Sequence, residues 1–329
     1  MFDIGFHIAF IENSVFVHNH IFVKKEIAFN KFFCGAAATQ KTVNGKHPDS
    51  HREVNNGLAA ELHYFCLAKI KPKRIYKLMT KAAIKQVRLL HQKKYRDEKG
   101  LFIAEGPKIV NDLLNSTYKA KEIFATKEFR IQSRWLSGSE LRIHEVNEKE
   151  LESISALTTP NRILGVFEIP SSLILRPSSF ASELVLALDD IRDPGNFGTI
   201  IRIADWFGIN HILCSETCVD VYNPKVVQAS MGSIARVELH CVSLEEIFKS
   251  LRKEPFGQIY GAVMNSKNIY TENLSSKGII LIGNESRGIS ENLMQYVTQK
   301  ISIPNFGKAD SLNAAIATAV ICSEFRRKH

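Results

Sequence analysis

The chain has 329 residues, enough for two domains, and 45% of them are hydrophobic, which excludes a chain that is disordered throughout. No run of about eighteen uninterrupted apolar residues occurs, so no membrane-spanning helix is predicted. The formal net charge of +9 favours a polyanionic partner.

The positive charge is concentrated in one segment. Residues 69–100 hold twelve basic and two acidic residues, a net charge of +10, so the rest of the chain sums to −1. Such a segment on a near-neutral body indicates nucleic-acid binding, although a lysine-rich helix facing solvent has the same composition. The residues predicted to contact nucleic acid are Lys81, Lys85, Arg88, Lys93, Lys94 and Arg96.

The six cysteines show neither a C-x-x-C pair nor a paired histidine spacing. Zinc ligation and disulfides are therefore weak interpretations, and no metal site is predicted. Reduced thiols in a cytoplasmic protein fit the spacing better.

Residues 1–78 are aromatic-rich at first and then polar, with no steady period of 2 or 3.6. They resemble neither a secretory signal nor a transit peptide. Met79, by contrast, directly precedes a basic helix with Thr80 as a candidate N-cap. We hypothesise that Met79 is the natural start and that residues 1–78 are a non-native or dispensable extension.

Residues 79–170 alternate between helices and strands, which predicts a small α/β domain. Helices are predicted from residue 81 and at 107–114, 127–135 and 148–154, and strands at 101–104, 121–125, 142–146 and 163–167. A serine- and proline-rich linker is predicted at 171–183.

Residues 184–329 predict a doubly wound parallel sheet. Strands are expected at 184–188, 211–215, 237–240, 259–264, 278–282 and 300–303, and helices after Asn196 and at about 224–230, 244–252, 290–298 and 311–327. Ligands of such sheets bind at the carboxyl ends of the strands.

The first such strand ends in Asp193-Pro-Gly-Asn-Phe-Gly198, where Asn196 is a candidate N-cap and the helix N-terminus suits an anion. The stretch lacks G-x-G-x-x-G and a P-loop lysine, which argues against dinucleotide and nucleoside triphosphate sites. Its G-x-x-G follows a strand and so does not fit a KH module. An ordinary strand–turn–helix junction remains an alternative.

Two later strands are followed by residues that we expect at one edge of the same sheet, namely Gly283, Glu285, Pro304, Gly307, Ser311 and Asn313. Glu285 also has a simple interpretation as an acid balancing a helix dipole, and Ser311 as a helix cap. Asn313 is expected inside the last helix, where a hydrogen bond would explain it.

Three blocks of the sequence resemble, in order and spacing, the three motifs of the SpoU (TrmH-type) RNA 2′-O-ribose methyltransferases. The first is Asn196-Phe-Gly198 with Arg202, the second is Gly283-Asn-Glu285 with Gly288, and the third is Ile303-Pro with Gly307 and Ser311-Leu-Asn313. Residues 81–167 resemble the ribosomal-L30-like substrate-binding domain of that family. Asn305 departs from it, since the family usually has an apolar residue there.

The resemblance implies a trefoil-knotted SPOUT domain at 184–329, a homodimer and S-adenosylmethionine as cofactor. Gly283, Ile303 and Leu312 would contact the cofactor, and Asn196, Arg202, Glu285, Ser311 and Asn313 would form the catalytic set.

The resemblance also implies methylation of a ribose 2′-hydroxyl in structured RNA, with ribosomal RNA favoured over transfer RNA. Because a guanidinium stays protonated at neutral pH, we expect Arg202 to bind phosphate and stabilise the developing oxyanion rather than to act as a base. Glu285 would orient Arg202 or its loop. A catalytically inactive RNA-binding protein with the same fold is the alternative.

Overall fold

The computed structural model describes residues 79–133, 136, 141–170, 182–252 and 257–327. The predicted extension at residues 1–78, and residues 171–181 of the predicted linker, lie outside this part of the chain. Within it, no helix is both long enough and apolar enough to cross a lipid bilayer.

The first part of the described chain builds a four-stranded sheet flanked by helices. Its elements are α1 (Lys81–Leu89), α2 (Lys93–Lys99), β1 (Leu101–Glu105), α3 (Pro107–Leu114), β2 (Ala120–Thr126), α4 (Lys127–Gln132), β3 (Ile143–Val146), α5 (Glu148–Ile154) and β4 (Ile163–Glu168). The strand order is β1-β4-β2-β3, in which β4 runs antiparallel to both neighbours and β2 runs parallel to β3.

Local side-chain chemistry explains where these helices begin. Thr80 caps α1 by accepting a hydrogen bond from the Ala83 N–H at 3.2 Å, as the sequence predicts. Asn147 and Glu150 form a reciprocal capping box at the start of α5. Helix α2 is not foreseen in the sequence, because its seven residues are almost all charged and give no apolar period.

Alternating side chains of the four-stranded sheet build two separate cores. Phe102 and Ile123 face one side with α3, whereas Ile103, Phe124 and Leu164 face the other with α1 and α5. All five are at most 1% exposed, so the sheet is covered on both faces.

The second part is a six-stranded, entirely parallel sheet. Its elements are β5 (Leu184–Leu188), α6 (Pro194–Trp206), β6 (His211–Cys214), α7 (Pro224–Ala229), a 3₁₀ turn (Ser233–Ala235), β7 (Glu238–Cys241), α8 (Leu244–Leu251), β8 (Ile259–Asn268), β9 (Gly278–Ile282), α9 (Glu291–Met294), β10 (Gln299–Ser302) and α10 (Ala314–Arg326). The order is β10-β8-β9-β5-β6-β7. The α/β class and the parallel sheet are thereby confirmed.

Strand β5 lies near the middle of this sheet and is buried along its whole length. Leu184 and Leu186 pack into the core that includes α6 and α10, and Val185 and Ala187 into the core that includes α8. A continuous apolar run is what a parallel strand covered on both faces requires.

Three predicted elements differ from the observed ones because tertiary contacts override local propensity. The helix predicted at 290–298 ends at Met294, since Thr298 hydrogen-bonds Ile259 and directs the chain into β10. The last helix begins at Ala314, and Asn313 is its N-cap rather than an interior residue. Strand β8 continues beyond residue 264 to Asn268, with a register shift against β10.

The two sheets are joined through a shared apolar and ionic contact. The ring of Phe102 lies 4.7 Å from that of Tyr222, and Val227 and Ile234 complete the core beneath α3. Arg96 is 1% exposed and donates from Nε to Asp220 at 2.9 Å and from Nη1 to the Leu90 carbonyl at 2.8 Å. The prediction that Arg96 contacts nucleic acid is therefore wrong, because its guanidinium is buried.

Replacing Arg96 tests the energetic weight of this contact. Arg96→Ala leaves the Asp220 carboxylate largely buried without its partner, so we expect the free energy of unfolding to fall by about 3–5 kcal/mol. Chemical denaturation measures the loss. The exposed Lys94→Ala is the control, with an expected change within about 0.5 kcal/mol. Equal stability of the two variants would contradict a structural role for Arg96.

Candidate active site

The three sequence motifs meet at one edge of the six-stranded sheet. Because all strands are parallel, their carboxyl ends share that edge. We define the carboxyl edge as residues 189–196 after β5, 283–288 after β9, and 303–313 after β10.

The segment after β9 is a tight loop that only glycine at its base permits. Asn284 and Gly288 exchange main-chain hydrogen bonds of 3.0 and 2.8 Å. A Cβ on Gly283 would lie 2.3 Å from the Gly288 carbonyl carbon, which is too close for two carbon atoms that are not bonded to each other. The main chain of Gly283 is therefore packed directly against that of Gly288 at the strand end.

The segment after β5 is fastened to this loop by polar contacts that the sequence did not single out. The Asn284 side chain donates to the Asp190 carbonyl at 2.9 Å, and the Arg287 guanidinium pairs with the Asp190 carboxylate. Asp189 is 5% exposed and accepts a hydrogen bond from the Ser290 N–H at 2.8 Å. In the sequence, the adjacent carboxylates Asp189 and Asp190 at the end of a buried strand are the signal that could have indicated these contacts.

Helix α6 starts at the carboxyl edge with Pro194 in its first turn. Its N-cap is Asp193, whose carboxylate accepts from the Asn196 N–H at 2.7 Å. The prediction that Asn196 caps this helix is wrong, because Asp193 occupies that position. The Asn196 side chain is consequently available for contacts across the edge.

Those contacts join the three motifs in one hydrogen-bonded chain. Asn313 Nδ2 donates to Asn196 Oδ1 at 2.8 Å, and Asn196 Nδ2 donates to Glu285 Oε1 at 2.6 Å. Asn313 Oδ1 in turn accepts from the Ala315 and Ile316 N–H groups at the start of α10. We call Asn313, Asn196 and Glu285 the amide–carboxylate chain.

The donor pattern leaves each amide a single orientation. Asn313 Oδ1 has to face the two helix N–H groups, so its Nδ2 faces Asn196. Asn196 must then present oxygen to Asn313 and nitrogen to the carboxylate of Glu285. An inverted Asn196 amide would place two oxygens against each other and two donors against each other.

The remaining predicted catalytic residues lie outside this chain. Arg202 is an exposed residue of α6 and Ser311 is exposed in the loop before α10. Within the described residues, neither side chain has a hydrogen bond or an ion pair. Among the described residues Glu285 contacts Asn196 and not Arg202, so of its two expected roles, orienting Arg202 or orienting the loop, the contact favours the second.

The three predicted cofactor residues follow the same strands. Gly283 and Ile303 are half-buried, whereas Leu312 is 47% exposed. Asn305 is used within its own loop, donating to the Ala309 carbonyl at 2.8 Å and accepting from the Gly307 N–H at 2.8 Å. These two hydrogen bonds stabilise the loop that contains Asn305.

A cavity of about 380 Å³ lies beside these loops, and its lining includes Asp189, Asp190, Ser215, Glu245 and Arg287. None of the three predicted cofactor residues lines it. Its rim is rich in carboxylates already paired with arginines or with backbone N–H groups. We therefore place the candidate site at the amide–carboxylate chain and not in this cavity.

The predicted basic contacts remain at the surface apart from Arg96. Lys81, Lys85, Arg88 and Lys94 are exposed. Lys93 is exposed but pairs with Asp97 at 2.5 Å, and the hydrogen bond that it donates raises its pKa above the ordinary value. Four unpaired cations on α1 and the start of α2 thus face solvent within the described part of the chain.

Comparisons with known proteins find matches to two stretches of the chain. The model of the SpoU rRNA Methylase family matches residues 183–323, and that of the MRM3-like substrate binding domain matches residues 81–165. The chain is 29% identical to the 23S rRNA (guanosine(2553)-2′-O)-methyltransferase RlmP of Bacillus subtilis, over 74% of this chain and 95% of that protein. It is 24% identical to rRNA methyltransferase 3, mitochondrial, of Mus musculus, over 73% of this chain and 70% of that protein.

Solved structures give the same result. An AdoMet-bound rRNA methyltransferase from Sinorhizobium meliloti aligns with a TM-score of 0.67 at 32% identity, covering 78% of this chain and 98% of that one. A structure from Porphyromonas gingivalis, assigned to the TrmH family of RNA methyltransferases, aligns with a TM-score of 0.70 at 34% identity, covering 77% of this chain and all of that one. With its three motifs joined at one sheet edge, the chain belongs to the SpoU (TrmH-type) family of RNA 2′-O-ribose methyltransferases.

Proposed function

We propose that this protein is an S-adenosylmethionine-dependent methyltransferase that modifies a ribose 2′-hydroxyl of ribosomal RNA. The observation that supports this most directly is the amide–carboxylate chain, in which one residue from each family motif participates. The relatives named as ribosomal RNA methyltransferases support the choice of RNA.

The residues at the carboxyl edge fit the cofactor that the family uses. The absence of a side chain on Gly283 lets its main chain pack against that of Gly288, and the main chain on the other side of Gly283 would be the part that contacts the cofactor. Ile303, which is half-buried, and Leu312, which is exposed, would add apolar contact. When bound there, S-adenosylmethionine supplies a methyl group activated by its sulfonium. The protein then has to hold the ribose hydroxyl in line and assist removal of its proton.

Arg202 is the residue to which we assign charge stabilisation. It is exposed on α6, six residues beyond Asn196, and within the described residues no carboxylate neutralises it. A guanidinium stays protonated at neutral pH and matches phosphate oxygens in geometry. Arg202 would bind the RNA phosphate and stabilise the oxyanion that develops at the ribose.

The amide–carboxylate chain would position the ribose. Glu285 Oε1 is occupied by Asn196, which leaves the second carboxylate oxygen as an acceptor for a ribose hydroxyl. Ser311, in the exposed loop two residues before Asn313, would add a hydroxyl contact from the same loop. This assigns orientation of the nucleophile to Asn196, Glu285, Ser311 and Asn313.

Residues 79–170 would act as an L30-like RNA-binding domain. Its supporting observations are the match of a substrate-binding family model and the exposed cations Lys81, Lys85, Arg88 and Lys94. Phosphate contacts of this kind hold structured RNA in register without selecting a sequence. We propose a cytoplasmic site of action, as expected for a chain whose four described cysteines are free.

We further propose a trefoil knot and a homodimer. Strand β10 is at the edge of the sheet, whereas α10, which follows it, hydrogen-bonds to α6 near the middle. The chain therefore returns across the ends of β8 and β9 after β10. A last helix threaded through a loop would follow such a path. Apolar side chains remain exposed along α6, α10 and the loop before α10, with Trp206 81%, Phe306 94% and Ile316 56% exposed. A second copy packed on these residues would bury them.

Transfer of labelled methyl from S-adenosylmethionine to unmodified ribosomal RNA tests the function. We expect wild type to leave an alkali-resistant dinucleotide at the methylated ribose. Arg202→Ala should lower kcat by about 10²–10³-fold, as the loss of one oxyanion donor does elsewhere. Arg202→Lys should recover part of the loss, because it keeps the charge without the planar fork.

Arg327→Ala is the matched control, since Arg327 is an exposed arginine paired only with Glu324 among the described residues. Its activity should match wild type. RNA and cofactor binding without any transfer by wild type would instead favour the inactive RNA-binding protein. Equal rates for Arg202→Ala and Arg327→Ala would remove Arg202 from the mechanism.

The dimer is tested by placing a charge in the exposed apolar surface. Trp206→Glu should give a folded monomer by analytical ultracentrifugation at concentrations where wild type is a dimer, because a carboxylate cannot be buried there unpaired. Ile131→Glu, at a side chain that is 67% exposed on α4, should leave the dimer intact. A wild-type protein that sediments as a monomer at micromolar concentration would refute the homodimer.

A further inference from the structure

A group of metal-ligating side chains lies away from the carboxyl edge, on the two outermost strands β6 and β7. His211 is the first residue of β6, Glu238 is the first residue of β7, and His240 follows two residues later. Strand β7 is at the edge of the six-stranded sheet. The proposed methyl transfer uses none of these residues.

The strand register places the three side chains on one face. His211 is paired with Glu238 across the two parallel strands, and neighbours in register point to the same side of a sheet. His240 shares that side because it lies two residues beyond Glu238. The side chains of His211 and His240 are 16% and 9% exposed, and that of Glu238 is 56% exposed.

Three ligand atoms form a nearly regular triangle. His211 Nδ1 and His240 Nε2 are 3.3 Å apart, and the Glu238 Oε2 atom lies 3.4 Å from the first and 3.7 Å from the second. A tetrahedral zinc ion with bonds of about 2.0–2.2 Å separates its ligand atoms by about 3.3–3.6 Å. The observed triangle therefore matches one face of such a tetrahedron.

We propose that His211 Nδ1, His240 Nε2 and Glu238 Oε2 bind one divalent transition-metal ion, Zn²⁺ in the first instance. Two imidazoles and one carboxylate suit zinc and its neighbours in the first transition row, whereas Mg²⁺ and Ca²⁺ require oxygen ligands. The fourth position of the tetrahedron is left for water.

The surrounding groups support this ligand set. Glu183 Oε2 lies 3.8 Å from His211 Nε2, the nitrogen that would not bind the metal, and Asn210 Nδ2 donates to the same oxygen at 3.3 Å. At protein zinc sites the second ring nitrogen usually donates to a carboxylate that fixes the ring orientation, and a closer approach of Glu183 to His211 Nε2 on metal binding would form that hydrogen bond.

The bound ion would fasten the edge strand to the sheet. Strand β7 has four residues and, in the described part of the chain, pairs with β6 alone. A metal that bridges His211 on β6 to Glu238 and His240 on β7 would bind the folded chain better than the unfolded one. It should therefore raise the melting temperature, by an amount that increases with the logarithm of the free metal concentration divided by its Kd.

The test is a zinc titration of the untagged, full-length, chelator-treated protein by isothermal calorimetry, with metal content measured after dialysis. Residues 1–78 contain six other histidines and two cysteines, so variants isolate the site by difference. His211→Gln/His240→Gln should bind one zinc fewer than wild type. Glu183→Gln should keep the site with affinity roughly 10–100-fold weaker.

Glu216→Gln is the matched control, because Glu216 is an exposed carboxylate outside the cluster, and it should bind zinc like wild type. Cobalt(II) in the same site should give the visible bands of a tetrahedral ion without a thiolate charge-transfer band. That spectrum distinguishes the site from the adjacent Cys214 and Cys241.

Two results would overturn the proposal. One is a wild-type protein that retains no more zinc than the double histidine variant. The other is a zinc-dependent rise in melting temperature that is equal in the two proteins. Because Glu238 is largely exposed, Glu238→Gln provides a third variant that should fold normally without metal and bind zinc more weakly.

Discussion

The candidate site depends on the fixed orientation of one amide, that of Asn196. Asn313 is held by two N–H groups at the start of α10, and this forces its nitrogen towards Asn196. Asn196 then has only its own nitrogen to offer Glu285. The N–H groups at the start of α10 thus determine which atom of Asn196 faces Glu285, a carboxylate that follows β9.

Helix packing makes that arrangement possible. Helices α6 and α10 lie side by side and run in the same direction, since Asn196 meets Asn313 at their starts and Arg326 donates to the Phe207 and Gly208 carbonyls at their ends. Their positive N-termini therefore lie close together at the carboxyl edge, where a carboxylate or an RNA phosphate is favoured. Gly198 lets α6 approach α7, because a Cβ there would lie 2.5 Å from that of Ala229.

Much of this was predictable because the strands are short, apolar and bounded by turn residues. The parallel sheet follows from β5 and β9, whose residues are buried throughout. The gathering of Asn196, Glu285 and Asn313 follows from the rule that parallel strands end at one edge. Family resemblance supplied their assignment to catalysis, which periodicity alone could not.

What the sequence could not predict depends on long-range contacts. Arg96 resembles its basic neighbours, and only the distant Asp220 makes it a buried structural residue. Asp193 and Asn196 are both good caps, and the choice between them is decided by Glu285 and Asn313 across the edge. The zinc ligands His211 and His240 are 29 residues apart and become neighbours only through strand register.

A double-mutant cycle on methyl transfer tests the central claim that Asn196 and Glu285 act as one unit. Asn196→Ala and Glu285→Ala should each lower kcat/KM. Expressed as free energy, the loss in the double variant should be smaller than the sum of the two single losses, by a coupling energy of about 1–2 kcal/mol. Asn196→Ala combined with Glu216→Gln serves as the independent pair. Effects of Asn196→Ala and Glu285→Ala that add to within about 0.3–0.5 kcal/mol would contradict the account, because such residues would be energetically independent.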